Sequence, residues 1–195
     1  MKTLTPLKKT VLASASPRRR ELMKDIIETF EVTSVDVDES ITSHEDAAAH
    51  ATRLALEKAK AAAPRNKNAV IIAADTLVTI NGAILGKPEG ASHAKEMLKT
   101  LSGKTHSVFT AFCIYDDRPL SIKACESRVT FKDLTDSEIE EYISTGEPFD
   151  KAGSYGAQGR GKALIERVEG SLTNVIGLPT EELRAELVRL SLAKE

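Results

Sequence analysis

Three arginines, Arg18, Arg19 and Arg20, follow Ser16 and Pro17 at the end of the short apolar run "TVLAS". If a helix opens at Pro17, Ser16 is its N-cap, and Pro17 lacks only an N–H that would be unpaired in any case. The next N–H groups stay available at the positive end of the helix dipole. Arginines there oppose that dipole by about 0.3–1 kcal/mol each, and a bound anion relieves the repulsion. The stretch is either a phosphate site where a strand feeds a helix or a solvated basic first turn. The convergence of cap, proline and paired arginines favours phosphate.

Asp75 is the only charge in "AVIIAADTLVTI" and falls where an apolar strand is expected to end. In open α/β sheets ligands bind at strand ends. The carboxylate there either binds a divalent metal or takes a proton from water, or it caps the strand by bonding to Thr76. "VDVDES" adds Asp36, Asp38 and Glu39. These acids read as a solvated loop unless they lie beside Asp75, since Mg²⁺ takes one or two carboxylates plus phosphate oxygens. Lys58 shares an apolar helix face with Ala51, Leu54, Ala55 and Ala62, so it either snorkels to the edge or meets an anion. Lys87, in "LGKPEG", either reaches a phosphate or is an ordinary loop lysine.

"AGSYGAQGRG" holds Gly153, Gly156, Gly159 and Gly161 in a spacing that is neither Walker nor Rossmann. Such density implies positive φ or close backbone approach to a ligand, or a tight hairpin. Gln158 within it offers a donor and an acceptor, suited to the edge of a nucleobase. The histidines, His44 and His50 among them, show no zinc spacing, and no Gly-x-Ser-x-Gly elbow occurs. Cations for phosphate, carboxylates for a metal and a glycine-rich lip together suit metal-assisted attack of water on a phosphate ester or anhydride.

These groups need a scaffold. The 195 residues, 41% of them hydrophobic, suffice for one substantial core or two small lobes sharing one. A net charge of −2 and an aromatic content of 4% disfavour a nucleic-acid surface. Cys113 and Cys125 fit neither a disulfide framework nor a metal set and read as thiols in a reducing compartment. The first residues lack a signal-peptide apolar run and no stretch is long enough to span a bilayer, so a cytoplasmic protein without a membrane partner is expected.

Strand and helix signals alternate. Strands are expected at "TVLAS", "FEVTSVDVDES" and "NAVIIAADTLVTI", and helices from Pro17 to about Glu28 and from about His44 to Ala63. Asn81-Gly82 marks a hairpin, and "ASHAKEMLKTLSG" a helix closed by Gly103. Two long strands joined around Asp116–Pro119 follow, then a helix opened by a Thr135/Glu138 capping box. A strand after the glycines and a helix from about Pro179 to Ala193 complete an α/β chain with a strongly twisted mixed sheet flanked by helices.

Seen together, "LASASPRR", "EKA" at Glu57 to Ala59, "AADTLV", "LGKP", "LSGKTHSV", "DKAGSYGAQGRG" and "VIGLP" resemble, in order, the motifs of the Maf family of nucleoside triphosphate pyrophosphatases, relatives of inosine triphosphate pyrophosphatases. The resemblance covers nearly the whole chain. It implies a single domain over 1–195, with two lobes around a nucleotide cleft. It also implies hydrolysis of a nucleoside triphosphate to monophosphate and pyrophosphate with Mg²⁺, Mn²⁺ or Co²⁺, and a homodimer. Carried over, Asp75 is the proton acceptor and Glu39 a catalytic carboxylate, both at the metal. Ser14, Ser16, Arg18, Arg19, Lys58 and Lys87 surround the triphosphate, and Arg18, Thr76 and Gln158 set specificity. "SPRRR", "ADT" and "YGAQG" resemble the branch acting on dTTP and UTP; the 7-methyl-GTP branch tends to replace Arg18 by a bulky residue and lacks the glutamine. The alternative is a nucleotide-binding regulator of cell division or septum formation with vestigial hydrolysis. It needs Arg18 and Gln158, whereas only the enzyme needs Asp75 and Glu39.

Overall fold

The structure, a computed structural model, describes residues 2–42 and 45–195. In chain order the elements are β1 (Thr5–Pro6), β2 (Thr10–Ala13), α1 (Pro17–Lys24), β3 (Glu31–Thr33), α2 (Ala47–Ala62), β4 (Val70–Ile80), β5 (Ala83–Leu85), α3 (Ala91–Leu101), β6 (Thr105–Asp116), β7 (Arg118–Phe131), α4 (Asp136–Ser144), β8 (Ile165–Glu169), α5 (Leu172–Ile176), α6 (Thr180–Arg189) and β9 (Ala193–Lys194). The main sheet has the order β3-β2-β4-β6-β7-β8, with β5 added to β4, while β1 and β9 form a separate ladder. β2 runs parallel to β3 and β4, whereas β5 and β8 run antiparallel to β4 and β7. The sheet is mixed, as the alternation of signals implies. No helix among the described residues is long and apolar enough to cross a membrane.

The chain divides into two compact units, one comprising the chain up to Asp75 with Thr110–Cys125 and Gly177–Glu195, the other Thr76–Phe109 with Glu126–Ile176. In the first, β2 is buried along its length and pairs Val11 with Ile71 and Ala13 with Ala73. On α2 the buried residues are Ala47, His50, Ala51, Leu54, Ala55, Ala59 and Ala62, a stripe at helical spacing whose small side chains let the helix pack closely.

Several boundaries differ from the expected ones for backbone reasons. α1 ends at Lys24 rather than near Glu28, because Leu4 takes the following turn: its N–H donates to the Ile26 carbonyl at 2.7 Å and its carbonyl accepts from Glu28 N–H at 3.0 Å. The expected strand over "FEVTSVDVDES" shrinks to Glu31–Thr33, whose side chains are mostly exposed, and the acids beyond it form an irregular loop. His44 lies outside the described residues. Asp46 caps α2 by accepting from Ala49 N–H at 2.8 Å, so the helix begins at Ala47. α6 stops at Arg189 because Ser191 adopts a φ of 54°, and the chain then pairs β9 with β1. Residues 2–8, for which the sequence predicts no element, thus supply a strand and the fully buried Leu4.

The second unit is built around Val78, Ile80, Leu98, Leu101, Phe131 and Tyr155. Asn81 and Gly82 have φ of 50° and 81°, the two positive values of a I′ hairpin, and join β4 to β5 as expected. The Thr135/Glu138 capping box is present at α4. His106, 3% exposed, bonds through Nε2 to the Tyr155 hydroxyl at 2.7 Å and stands edge-on to Phe131.

Burial pushes the His106 imidazole down to about 4. An unfolded histidine takes up its proton near 6.5, so between those values the unfolded chain binds the extra proton and stability falls as pH falls. Urea unfolding at pH 7 and pH 5 should show about 2 kcal/mol more loss in the wild type than in His106→Gln. An equal loss in both would remove His106 as the cause.

Candidate functional site

The end of β2 prepares the arginine turn. Ser14, buried, accepts the N–H of Ser16 on its Oγ at 3.2 Å, and the Ser16 Oγ caps α1 by accepting from Arg19 N–H at 3.4 Å. Pro17 occupies the first turn of α1, which contains no acidic residue. Arg18 and Arg19 are half-buried and Arg20 is exposed, which separates the inner pair from a solvated neighbour. The Arg19 Nε donates to the Gly177 carbonyl at 2.8 Å, fixing its fork against the segment before α6. Burial lowers the Arg19 guanidinium from its ordinary value, while the nearby charges of Asp75 and Glu39 work in the opposite direction.

Asp75 sits in the middle of β4, not at its end, because β4 runs on to pair with β5 from Val78. Its expected position at a strand end holds for the neighbour instead. The parallel ladder with β2 stops at Ala13–Ala73, so Asp75 stands just past the C-terminal end of β2. It is 6% exposed. Its Oδ1 accepts from the Lys58 ammonium at 2.6 Å, and the same ammonium lies 2.6 Å from Glu39 Oε1. Lys58 does not snorkel to solvent; it meets two anions.

The acidic loop therefore does come beside Asp75, through Glu39. Asp36 and Asp38 are exposed. Asp38 accepts the N–H of Ser40 at 2.9 Å, a bond that holds its carboxyl below the usual range and shapes the turn carrying Glu39. Arg53, about one and a half turns before Lys58 on α2, is a residue that sequence reasoning misses. Its guanidinium donates to the Ser40 carbonyl at 2.8 Å, to Glu45 at 2.8 Å and to Glu57 at 3.1 Å, tying the Glu39 loop to the helix that carries Lys58. The Arg53/Glu57 spacing was the available signal.

Thr76, Lys87 and Gln158 belong to the second unit. Thr76 follows Asp75 in β4. Lys87 is exposed in the loop after β5. That loop is tied to the glycine-rich segment by the bond from Gly153 N–H to the Gly86 carbonyl at 3.0 Å. Gln158 is exposed and precedes a 3-10 turn at Gly159–Leu164. The glycines serve the protein's own packing: Gly153 has a φ of 67°, and a Cβ on Gly161 would lie 2.3 Å from the Gly156 carbonyl oxygen.

Among the described residues no group of three or more His, Cys, Asp or Glu could hold a metal by itself. Glu39 and Asp75 nonetheless aim hard oxygens at one cationic position, and two carboxylates completed by phosphate oxygens and water form a set that Mg²⁺ accepts. The donor chemistry of these two carboxylates fits a divalent ion, at a position that the Lys58 ammonium holds here.

A family model described as Maf-like protein matches residues 9–190. A dTTP/UTP pyrophosphatase of Bacillus cytotoxicus is 44% identical over 93% of this chain and 95% of its own length. One from Chromobacterium violaceum is 45% identical over 88% and 89%, and one from Moorella thermoacetica 45% identical over 92% and 95%. Among solved structures, the Staphylococcus aureus Ham1 protein aligns with a TM-score of 0.54 over 94% of this chain and all of that one, at 18% identity, a likeness of fold.

Proposed function

This chain belongs to the Maf family, and we propose that it hydrolyses a pyrimidine nucleoside triphosphate, dTTP or UTP, to the monophosphate and pyrophosphate. The reading extends to modified pyrimidine nucleotides that keep the same base edge. The observation that carries it is the Lys58 ammonium held 2.6 Å from both Glu39 and Asp75, beside Arg19. The relatives named dTTP/UTP pyrophosphatase support the substrate class.

In this reading the N–H groups of α1, Ser14, Ser16, Arg18 and Arg19 bind the phosphates, and Lys58 and Lys87 supply further positive charge. Glu39 and Asp75 are the residues that would hold Mg²⁺, Mn²⁺ or Co²⁺, and the chemistry supplied there is neutralisation of charge on the phosphate oxygens. Asp75 orients a water and accepts its proton as the water oxygen bonds to the α-phosphorus. The bond from that phosphorus to the bridging oxygen breaks, and pyrophosphate leaves with the electron pair. Arg18, Thr76 and Gln158 are the residues assigned to choosing the nucleotide, with the Gln158 amide on the base edge.

Ion chromatography of the products of UTP and dTTP should show monophosphate and pyrophosphate in equal amounts, abolished by EDTA and restored by Mg²⁺, Mn²⁺ or Co²⁺. Free phosphate with nucleoside diphosphate would place the attack at the γ-phosphorus and overturn the reading.

A further inference from the structure

The glycine-rich segment that carries Gln158 is held after Gln158 by the Glu147 carboxylate and before it by the Tyr142 hydroxyl, which itself donates to that carboxylate. Glu147 opens the 3-10 turn Glu147–Asp150 after α4. Its Oε2 accepts the N–H of Arg160 at 3.0 Å and its Oε1 the N–H of Gly161 at 3.3 Å. The same Oε1 accepts the Tyr142 hydroxyl at 3.3 Å, and that hydroxyl oxygen accepts the N–H of Gly156 at 3.2 Å. Gln158 thus lies midway between two anchored backbone positions, Gly156 and Arg160, and both anchors lead to Glu147.

The clamp is itself braced. Tyr142 is buried on α4, and burial followed by the Glu147 charge raises its hydroxyl above the ordinary tyrosine value, which keeps it a donor. Glu147 N–H donates to Thr145 Oγ1 at 3.1 Å, and the Lys151 ammonium donates to the Glu147 carbonyl. A Cβ on Gly159 would lie 2.9 Å from Glu147 Oε2, so the loop is drawn against the carboxylate with little slack. Amide donors to a carboxylate form the stronger class of hydrogen bond, and holding a loop before a ligand arrives reduces the ordering cost of binding.

We propose that Glu147 and Tyr142 are positioning residues for base selection: they fix the backbone from Gly156 to Gly161 so that the Gln158 amide meets the edge of a pyrimidine. This rests on the reading of Gln158 given above. Neither residue is assigned contact with the substrate; both act through the loop.

The test compares kcat and KM for UTP, dTTP, ATP and GTP in Glu147→Gln and Tyr142→Phe, each alone and combined with Gln158→Ala. Glu147→Gln removes one of the two anionic acceptors, and Tyr142→Phe keeps the ring while removing the hydroxyl. The expected result is a rise in KM for UTP and dTTP of about tenfold with kcat moved much less, so that discrimination against ATP and GTP falls by about tenfold. Combined with Gln158→Ala, the same substitutions should leave discrimination where Gln158→Ala alone puts it, since no amide remains to be positioned. A purely structural role would lower turnover of all four triphosphates alike, and that result overturns the proposal, as does unchanged discrimination in either folded variant. If Glu147→Gln does not fold, Tyr142→Phe carries the comparison. Wild-type hydrolysis of UTP, and the loss of discrimination in Gln158→Ala alone, test the underlying reading separately.

Discussion

Asp75→Asn should lower kcat by about 10²–10⁴-fold while leaving the fold intact, because a positioned base contributes about that much to a proton transfer. Asparagine keeps the volume of Asp75, and its Oδ1 can still accept from the Lys58 ammonium that now sits at 2.6 Å. What it loses is the ability to take a proton from water. Lys58 keeps a carboxylate partner in Glu39, so the substitution leaves no unpaired cation in the interior. The expected signature is therefore a fall in kcat with KM nearly unchanged, together with a melting temperature close to that of the wild type. Steady-state kinetics on UTP with pyrophosphate detection, beside a thermal melt, decide it. Near-normal turnover by a folded Asp75→Asn protein would remove Asp75 as the proton acceptor.

Much of this site is legible in the residue order, and the part that is not has a common cause. The Ser16 cap, Pro17, the Asn81-Gly82 turn and the capping box at α4 are local: each depends on hydrogen bonds or φ values within a few residues, and each appears in the structure where expected. Lys58 on the apolar face of α2 was legible as an anomaly, but whether it reached solvent or an anion depended on where β4 and the Glu39 loop lie. The residue order alone places Asp75 at a strand end, because a sequence shows one strand at a time. In the sheet it is the neighbouring β2 that ends, and β4 continues. The roles of Leu4, of Arg53 at Ser40 and of Glu147 at Arg160 and Gly161 involve partners distant in sequence or in irregular backbone, where no periodicity marks them. Periodicity also over-extended the second strand, since "VTSVDVDES" alternates in type while only Glu31–Thr33 pairs with β2.

Lys58 offers a second large effect, and one that separates function from stability. Its side chain is 12% exposed and that of Asp75 9%, whereas Glu39 is 49% exposed. Replacing Lys58 by methionine removes the cation bonded to the Asp75 carboxylate and leaves it only the charge of nearby Arg19. Breaking one side of a buried pair costs about 3–5 kcal/mol, and the exposed Glu39 loses little by comparison. The same change removes positive charge from the phosphates, so kcat/KM should fall by at least about 10²-fold, in line with losing one group that stabilises transition-state charge. Adding Asp75→Leu to Lys58→Met removes the Asp75 carboxylate and fills the space with apolar atoms. The double variant should regain most of the lost stability, because an apolar pair often equals or exceeds a buried ion pair in stability. Its activity should stay as low as that of the single variants or lower. Urea unfolding of the two single variants and the double variant, in parallel with UTP hydrolysis, gives the decisive pattern: stability recovers and catalysis does not. If catalysis recovered along with stability, Lys58 and Asp75 would be a structural pair. If stability stayed low in the double variant, the cost would lie in packing around α2 and β4 rather than in the carboxylate left without Lys58.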